Sequence, residues 1–154
     1  MRFLNEKQLQ RLKAGAFLAV AQGNPGADAG IAHIRYRPGK NRERPALALV
    51  GKGIIFDTGG TNLKPFKAML DMHHDMAGSA VAVSTLLALT RLQVPFAVDC
   101  WLAITENRLS GGAYKSRDIV TASNGTTIEV IHTDAEGRMA LADTQVLAAR
   151  EHPE

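Results

Sequence analysis

The chain has 154 residues, of which 45% are hydrophobic and 21% charged, and its formal net charge is +3. These values are ordinary for one soluble globular domain. A single cysteine, Cys100, excludes an internal disulfide, and its apolar surroundings predict a buried thiol in a reducing, intracellular compartment. The N-terminus lacks the apolar stretch of a signal peptide, and no segment has about 18 uncharged apolar residues. We therefore expect no signal peptide and no membrane-spanning helix.

The N-terminal third alternates apolar segments with turns. Asn5 can cap a helix over residues 6–13, with Leu9 and Leu12 on one face. The pattern then predicts a short strand at 16–21, a turn at 23–26, a half-buried strand at 31–36, a basic loop at 38–45 and a short strand at 46–50.

The rest of the chain contains the clearest helix pattern and a long apolar strand. The alanine-rich segment 78–92 predicts a helix with Val81, Leu86, Leu87 and Leu89 among its apolar residues. The predicted elements that follow are a central strand at 94–104, a polar loop at 106–115, a β-hairpin over 119–131 with an Asn-Gly turn, and a closing helix at 138–150. Strands mixed with helices predict an α/β fold whose mixed β-sheet is flanked by helices.

Basic residues gather between Arg35 and Arg44, where a nucleic-acid partner would be sought first. Proline and glycine interrupt this segment, and no aromatic residues alternate with the charges. The pattern is more typical of a solvated loop, so we expect no nucleic-acid partner.

Charged residues lie beside glycine and apolar residues in three short clusters, where a solvated charge run would not need them. Four carboxylates and two lysines in such settings predict a buried polyanionic site, which is stable only if it holds cations. The three clusters are 50–60 (VGKGIIFDTGG) with Lys64 just beyond, 71–78 (DMHHDMAG) and 133–138 (TDAEGR).

Each carboxylate also has a purely structural interpretation. Asp57 precedes Thr-Gly-Gly and suits an Asx turn, and Asp75 is placed to cap the helix that follows it. Asp134, Glu136 and Arg138 are spaced by two, so in an extended segment they would share one face, as a site or as a solvated strand edge.

Lys52 and Lys64 distinguish a site from a surface. A lysine in a glycine-flanked apolar strand either pairs with a carboxylate or binds a metal as a neutral amine, which costs roughly 4.6 kcal/mol at pH 7. The oxygen-rich ligands suit Zn²⁺, Mn²⁺, Co²⁺ or Mg²⁺, and four carboxylates predict two ions with bridging ligands. His73 and His74 are adjacent and point in different directions, so we do not expect them to share an ion.

In their order and spacing, these motifs resemble the leucyl aminopeptidase (cytosol aminopeptidase) family of dinuclear metallopeptidases. The resemblance runs from about Leu4 to the C-terminus, and segment 133–138 contains the family signature block. It implies that residues 1–154 are part of a catalytic domain. It further implies a cytoplasmic enzyme that releases apolar, leucine-like residues from the N-terminus of peptides and assembles into a hexamer when complete.

The resemblance also implies a role for each metal-binding residue. Asp57 and Glu136 would bridge two ions, Zn²⁺ or Mn²⁺ first, with Mg²⁺ or Co²⁺ as alternatives. Asp134 would complete the more loosely held site, and Lys52 and Asp75 the tighter one.

The remaining roles concern catalysis and substrate binding. Lys64 would polarise the scissile carbonyl, and Arg138 would hold a bicarbonate that serves as general base. Met72, His132 and Ala135 would contact substrate. His132 stands where the family usually has asparagine, and His73-His74 replaces an arginine-alanine pair.

Two other functions stay open at this point. The family's catalytic domain is longer and follows a separate N-terminal domain, and we expect a Thr- and Gly-rich substrate-contacting segment beyond Glu154. The chain alone is thus also compatible with an inactive fragment or a binding module that keeps the metal ligands. A DNA-binding role, known for some family members, is favoured by nothing beyond the basic loop.

Overall fold

The computed structural model describes residues 1–24, 26, 28–39 and 45–151. It confirms an α/β fold with a mixed β-sheet. Its strands are β1 Arg2–Asn5, β2 Gly30–Tyr36, β3 Leu47–Asp57 and β4 Val98–Asn107, in the spatial order β1-β2-β4-β3. Strand β2 pairs antiparallel with both β1 and β4, whereas β3 is parallel to β4 at the edge of the sheet opposite β1.

Helices cover both faces of this sheet. The α-helices of the described residues are α1 Glu6–Arg11, α2 Gly15–Ala21, α3 Phe66–Met69, α4 Ala77–Arg91 and α5 Glu136–Glu151. On one face, α4 contributes Ala82 and Leu86 to a core with Cys100 and Leu102 of β4, so the prediction of a buried cysteine is confirmed. On the other face, α2 and α5 pack against Trp101.

The segment predicted as a strand at 16–21 is helix α2, and that prediction was wrong. Nearly all its side chains are buried, so the segment is apolar throughout and its sequence has no polar positions that would reveal a helical or a strand period. Its N-terminus is capped from a distance, because Asp143 of α5 accepts the Phe17 N–H at 2.9 Å. A contact spanning 126 positions cannot be seen in the local sequence.

The other predicted elements agree with the structure in kind and differ in extent. Asn5 caps α1 in a capping box with Gln8, as predicted, although α1 ends at Arg11. Strand β1 was not predicted. Strand β3 continues from the predicted 46–50 segment into the first charged cluster as far as Asp57, and β4 begins four residues later than predicted. In α4, Leu86 is buried, but Val81 and Leu87 are exposed.

The predicted hairpin is present and forms a second, two-stranded sheet. Strands β5 Ile119–Thr121 and β6 Thr127–Glu129 pair antiparallel. The turn between them uses Gly125 at φ +89°, a left-handed conformation that favours glycine. This hairpin packs against α2 and α5 through Val120 and Ile128.

A buried charged group lies within the main sheet, and we call it the His33–Asp99 cluster. It comprises His33, Asp99 and Arg37. His33 Nε2 lies 2.8 Å from Asp99 Oδ2, and Arg37 forms an ion pair with Asp99 Oδ1. The His33 ring stacks on Trp101 with 3.6 Å between the ring centroids.

The basic loop predicted at 38–45 and the turn predicted at 23–26 lie partly outside the residues that the structure describes. Within the described ranges, the structure contains no helix with the length and apolar character needed to cross a membrane.

Candidate metal centre

Strand β3 brings Lys52 and Asp57 to one face of the sheet by means of a β-bulge. Their partners on β4 are Ala103 and Asn107, which are four positions apart and so share a face. Lys52 and Asp57 are five positions apart and would point to opposite faces of a regular strand. The bulge after Ile54 inserts one extra residue, so both side chains reach the start of α5.

Three carboxylates converge at this point. One oxygen each of Asp57, Asp75 and Glu136 lie within 4.8 Å of one another. Lys52 Nζ donates to both oxygens of Asp75 at 2.6 Å and lies 2.7 Å from Glu136 Oε1. Asp57 and Glu136 are fully buried, and Asp75 is half-buried.

Lys64 connects a fourth carboxylate to this group. Its Nζ lies 3.2 Å from Asp57 Oδ2 and 2.5 Å from Asp134 Oδ1. Four ionised carboxylates and two ammonium groups leave a formal charge of −2. We call these residues the carboxylate cluster: Lys52, Asp57, Lys64, Asp75, Asp134 and Glu136.

Burial and neighbouring charges both shift the pKa values of the cluster residues. Burial raises the pKa of Glu136 and of Asp75 above their ordinary values, and the hydrogen bonds from Lys52 offset only part of this. The neighbouring charge of Asp57 raises both further. Burial alone would lower the pKa of Lys52, but its bonds to the two carboxylates outweigh burial and raise it. Lys52 therefore pairs with carboxylates here, and its role as a metal ligand stays a prediction.

The cluster fits a divalent cation. Glu136 is 1% exposed, and its Oε2 is buried without a hydrogen-bond partner among the described residues. A buried carboxylate oxygen without a partner is costly, as is the uncompensated charge around it. A cation bound by oxygen ligands removes both costs.

The structural interpretations of Asp57 and Asp75 have different outcomes. Gly59 N donates to Asp57 Oδ1 at 2.8 Å, so the Asx turn is present in addition to the cluster contacts. The N-cap interpretation of Asp75 is wrong, because Met76 holds that position without a side-chain bond. Both oxygens of Asp75 bind Lys52 instead.

The segment with Asp134, Glu136 and Arg138 is not extended, so the expectation of three side chains on one strand face is wrong. Residues Thr133–Ala135 form a 3₁₀ turn, and Glu136 begins α5. The turn is held by buried Thr133, whose Oγ1 donates to the Gly59 carbonyl at 2.6 Å. A turn and a helix direct alternate residues differently from a strand.

The close approach of β3 to α5 depends on a glycine. A Cβ on Gly137 would lie 2.8 Å from Lys52 Cε, so any larger residue there would require the lysine side chain to move. The lysine stem therefore lies against the first turn of α5, where its Nζ reaches Glu136.

Three of the predicted residues line a separate cavity of about 380 Å³ between the β5–β6 hairpin and α5. These are His132, Ala135 and Arg138, together with Ile131 and Met139 among others. Arg138 is exposed and forms no ion pair within the described ranges. The roles proposed for them stay predictions.

The second charged cluster of the sequence lies at the other end of the site. Met72 is half-buried in the 3₁₀ turn Met72–His74, three positions before Asp75. His73 and His74 are exposed, with ring centroids 3.8 Å apart, and neither belongs to the converging carboxylate group found among the described residues.

Sequence reasoning missed the buried polar residues behind the cluster. Asn107 Nδ2 donates to Asp57 Oδ1 at 2.8 Å, and Tyr114 OH donates to the Thr133 carbonyl at 2.7 Å. We assigned Asn107 and Tyr114 to a polar loop. The available signal was that Asn107 ends the strand beside β3, so its side chain lies at the same sheet edge as Asp57.

Comparison with known proteins identifies the family to which the chain belongs. The family described as the cytosol aminopeptidase family, catalytic domain, matches residues 1–154. A "Probable cytosol aminopeptidase" of Stutzerimonas stutzeri is 50% identical over 152 residues, and one of Azotobacter vinelandii is 47% identical over 151. These alignments cover 97% and 98% of this chain, which spans about 30% of the length of each relative. The chain belongs to the cytosol aminopeptidase family and corresponds to part of its catalytic domain.

Proposed function

We propose that this chain forms the metal-binding part of an aminopeptidase that releases N-terminal residues from peptides with the help of two divalent ions. The observation that supports this most directly is the convergence of Asp57, Asp75 and Glu136 within 4.8 Å, with negative charge in excess. A peptidase fold has no structural need for such an arrangement unless cations bind it.

The proposed ligands are the residues with carboxylates in the cluster, together with Lys52. Asp57 and Glu136 would bridge the ions, Asp134 would complete one site, and Lys52 and Asp75 the other. The oxygen-rich set suits Zn²⁺ or Mn²⁺, with Mg²⁺ or Co²⁺ as alternatives. When bound, such ions supply Lewis acidity and lower the pKa of a coordinated water.

Lys64 is proposed to stabilise the negative charge that develops on the carbonyl oxygen of the substrate. Burial would lower the pKa of Lys64, but its bonds to Asp134 and Asp57 outweigh burial and raise it. The side chain therefore stays protonated at neutral pH. A preorganised cation that is largely shielded from water stabilises a developing oxyanion better than the same charge in bulk solvent.

The cavity beside α5 is proposed to receive the part of the peptide that leaves. Arg138 would supply positive charge there and hold a bicarbonate, while His132 and Ala135 would contact the peptide. Met72 would favour an apolar, leucine-like N-terminal residue. His132, where the family usually has asparagine, is the position at which specificity would differ from that of relatives.

Location and assembly are part of the same proposal. These relatives are named as cytosol aminopeptidases, and we propose a cytoplasmic location for this protein as well. A homo-oligomer, a hexamer in the complete enzyme, follows from the family resemblance alone.

Metal analysis with Asp57→Ala tests the proposal. After dialysis against Zn²⁺ or Mn²⁺, the complete enzyme should hold close to two equivalents. Asp57→Ala should lose the ions and the activity on leucine p-nitroanilide, because it removes a bridge and leaves other charges unbalanced. Asp28→Ala, at an exposed aspartate, is the matched control and should change neither quantity. Zero equivalents in excess metal would refute the two-ion site.

The alternative is a binding module that keeps the metal ligands without turnover. The observation behind it is that the chain spans only about 30% of its relatives. We expect the 154-residue chain alone to show little or no activity with metal added. Turnover by this chain that is abolished by Asp57→Ala would contradict the alternative.

A further inference from the structure

Asn107 ends strand β4, between Asp57 of β3 and the segment that carries Asp134 and Glu136. It is fully buried and is the partner of Asp57 across the parallel pair of β3 and β4. Its Nδ2 donates to Asp57 Oδ1 at 2.8 Å and to the Thr133 carbonyl at 3.1 Å. Because both partners are acceptors, only the NH₂ group of the amide can face them. One side chain thus joins β3 to the turn before α5.

The first of these bonds acts on the orientation of Asp57. Gly59 N also donates to Asp57 Oδ1, at 2.8 Å. Two N–H donors occupy the two lone pairs of that oxygen. Oδ2 is then the oxygen directed toward Lys64, at 3.2 Å, and toward the rest of the cluster. Asn107 therefore helps to fix which oxygen of Asp57 is offered to a cation.

The second bond acts on the position of the turn. The Thr133 carbonyl also accepts from Tyr114 OH at 2.7 Å, and Thr133 N donates to Asn62 Oδ1 at 2.8 Å. Asp134 follows Thr133 directly, and Glu136 begins α5 two residues later. The position of this carbonyl therefore determines the backbone positions from which the side chains of Asp134 and Glu136 extend.

We propose that Asn107 is a positioning residue of the metal site. Its amide sets the distance and orientation of Asp57 relative to the segment with Asp134 and Glu136, and thereby the affinity for a divalent cation. Asn107 itself contacts neither substrate nor reacting atoms. The inference rests on the proposed function, since it assumes that the cluster binds cations.

Titration of the metal-free protein with Co²⁺ tests this role, with binding measured by calorimetry and by the visible absorption of bound Co²⁺. Asn107→Ala should weaken Co²⁺ binding by about 10- to 100-fold, the usual loss for a residue that orients a metal ligand, without changing the number of ions bound. Asn107→Ser keeps one hydrogen-bond donor, so its Co²⁺ affinity should lie between that of the unsubstituted protein and that of Asn107→Ala. It also provides a second variant if the alanine variant does not fold.

Asp143→Ala is the matched control. Asp143 is also fully buried and accepts two backbone N–H groups, from Phe17 and Ser123, but it lies outside the cluster. The Asp143→Ala substitution should lower the unfolding temperature and leave Co²⁺ affinity unchanged. Unchanged affinity in both Asn107 variants, or an equal loss in Asp143→Ala, would overturn the positioning role. No Co²⁺ binding by the unsubstituted protein would instead refute the proposed function.

Discussion

The two buried charged groups of this protein have opposite electrostatics. In the His33–Asp99 cluster, burial raises the pKa of Asp99, but hydrogen bonds from His33 and Arg37 outweigh burial and lower it. In the carboxylate cluster, burial raises the pKa of Glu136, and Lys52 cannot offset it. Both carboxylates are at most 1% exposed, and Glu136 is the more deeply enclosed of the two.

The two carboxylates also differ in their partners. Among the described residues, Asp99 faces His33 and Arg37, whereas Glu136 shares Lys52 with Asp75 and lies near Asp57. Removing one partner of a buried ion pair is strongly destabilising, and an excess of like charges is relieved when a ligand of opposite charge binds. The opposite pKa shifts therefore reflect different surroundings: Asp99 has its own donors, whereas Glu136 competes with Asp75 for one lysine.

The largest expected effect is on stability, from Asp99→Ala. Removing one partner of a buried ion pair leaves the other charges uncompensated and should cost about 3 to 5 kcal/mol. Urea unfolding of the metal-free protein measures this. Co²⁺ affinity should not change, since Asp99 lies outside the carboxylate cluster. Asp28→Ala, at an exposed aspartate, is the control and should cost less than about 0.5 kcal/mol. An equal loss of unfolding free energy in Asp99→Ala and Asp28→Ala would show that the His33–Asp99 cluster stabilises the fold no more than an exposed aspartate does.

Next in size are Lys64→Ala and Arg138→Ala in the complete enzyme. Loss of one group that stabilises transition-state charge typically lowers turnover by roughly 10² to 10³. Metal content should remain nearly intact, as both residues are assigned to the transition state. Lys67→Ala, three positions from Lys64 and exposed, should change neither. Loss of metal from either variant would mean that its role is structural.

The smallest effect is on pH dependence. The pKa of Glu136 is raised in the folded state, so its contribution to stability is complete below about pH 4.3 and is lost as pH rises through the folded pKa. The pKa of Asp99 is lowered, so its contribution is complete above about pH 3.9 and is lost as pH falls through the folded pKa.

Glu136→Gln and Asp99→Asn should therefore change the slope of unfolding free energy against pH in opposite directions. In metal-free protein, Glu136→Gln should remove part of the loss of stability toward neutral pH, and Asp99→Asn part of the loss toward acid. Urea unfolding between pH 3 and 7 with EDTA measures both. Slope changes of the same sign in the two variants would show that the two clusters do not differ as described.

The sequence was sufficient to predict the fold class and the meeting of the charged clusters. Glycine-flanked charges next to apolar strands are a local pattern, and so are the hairpin turn and the Asn5 cap. The identity of α2 was not predictable, because its N-terminus is capped by Asp143, far along the chain. The turn before Glu136 was missed for a related reason, since Thr133 is held by Gly59 and Asn62.

The bulge in β3 has a consequence for how this site tolerates change in the chain. Ile55 and Phe56 together stand opposite the one residue between Thr105 and Asn107. Ile55 is 49% exposed and joins neither charged cluster, so substitution there should be well tolerated. Deleting it would remove the bulge and leave Asp57 four positions after Lys52, so a regular strand would still place both side chains on one face. The bulge thus compensates for the odd spacing of these two residues, and the damaging change is a one-residue insertion between them that leaves the bulge in place, because it would turn Asp57 to the opposite face.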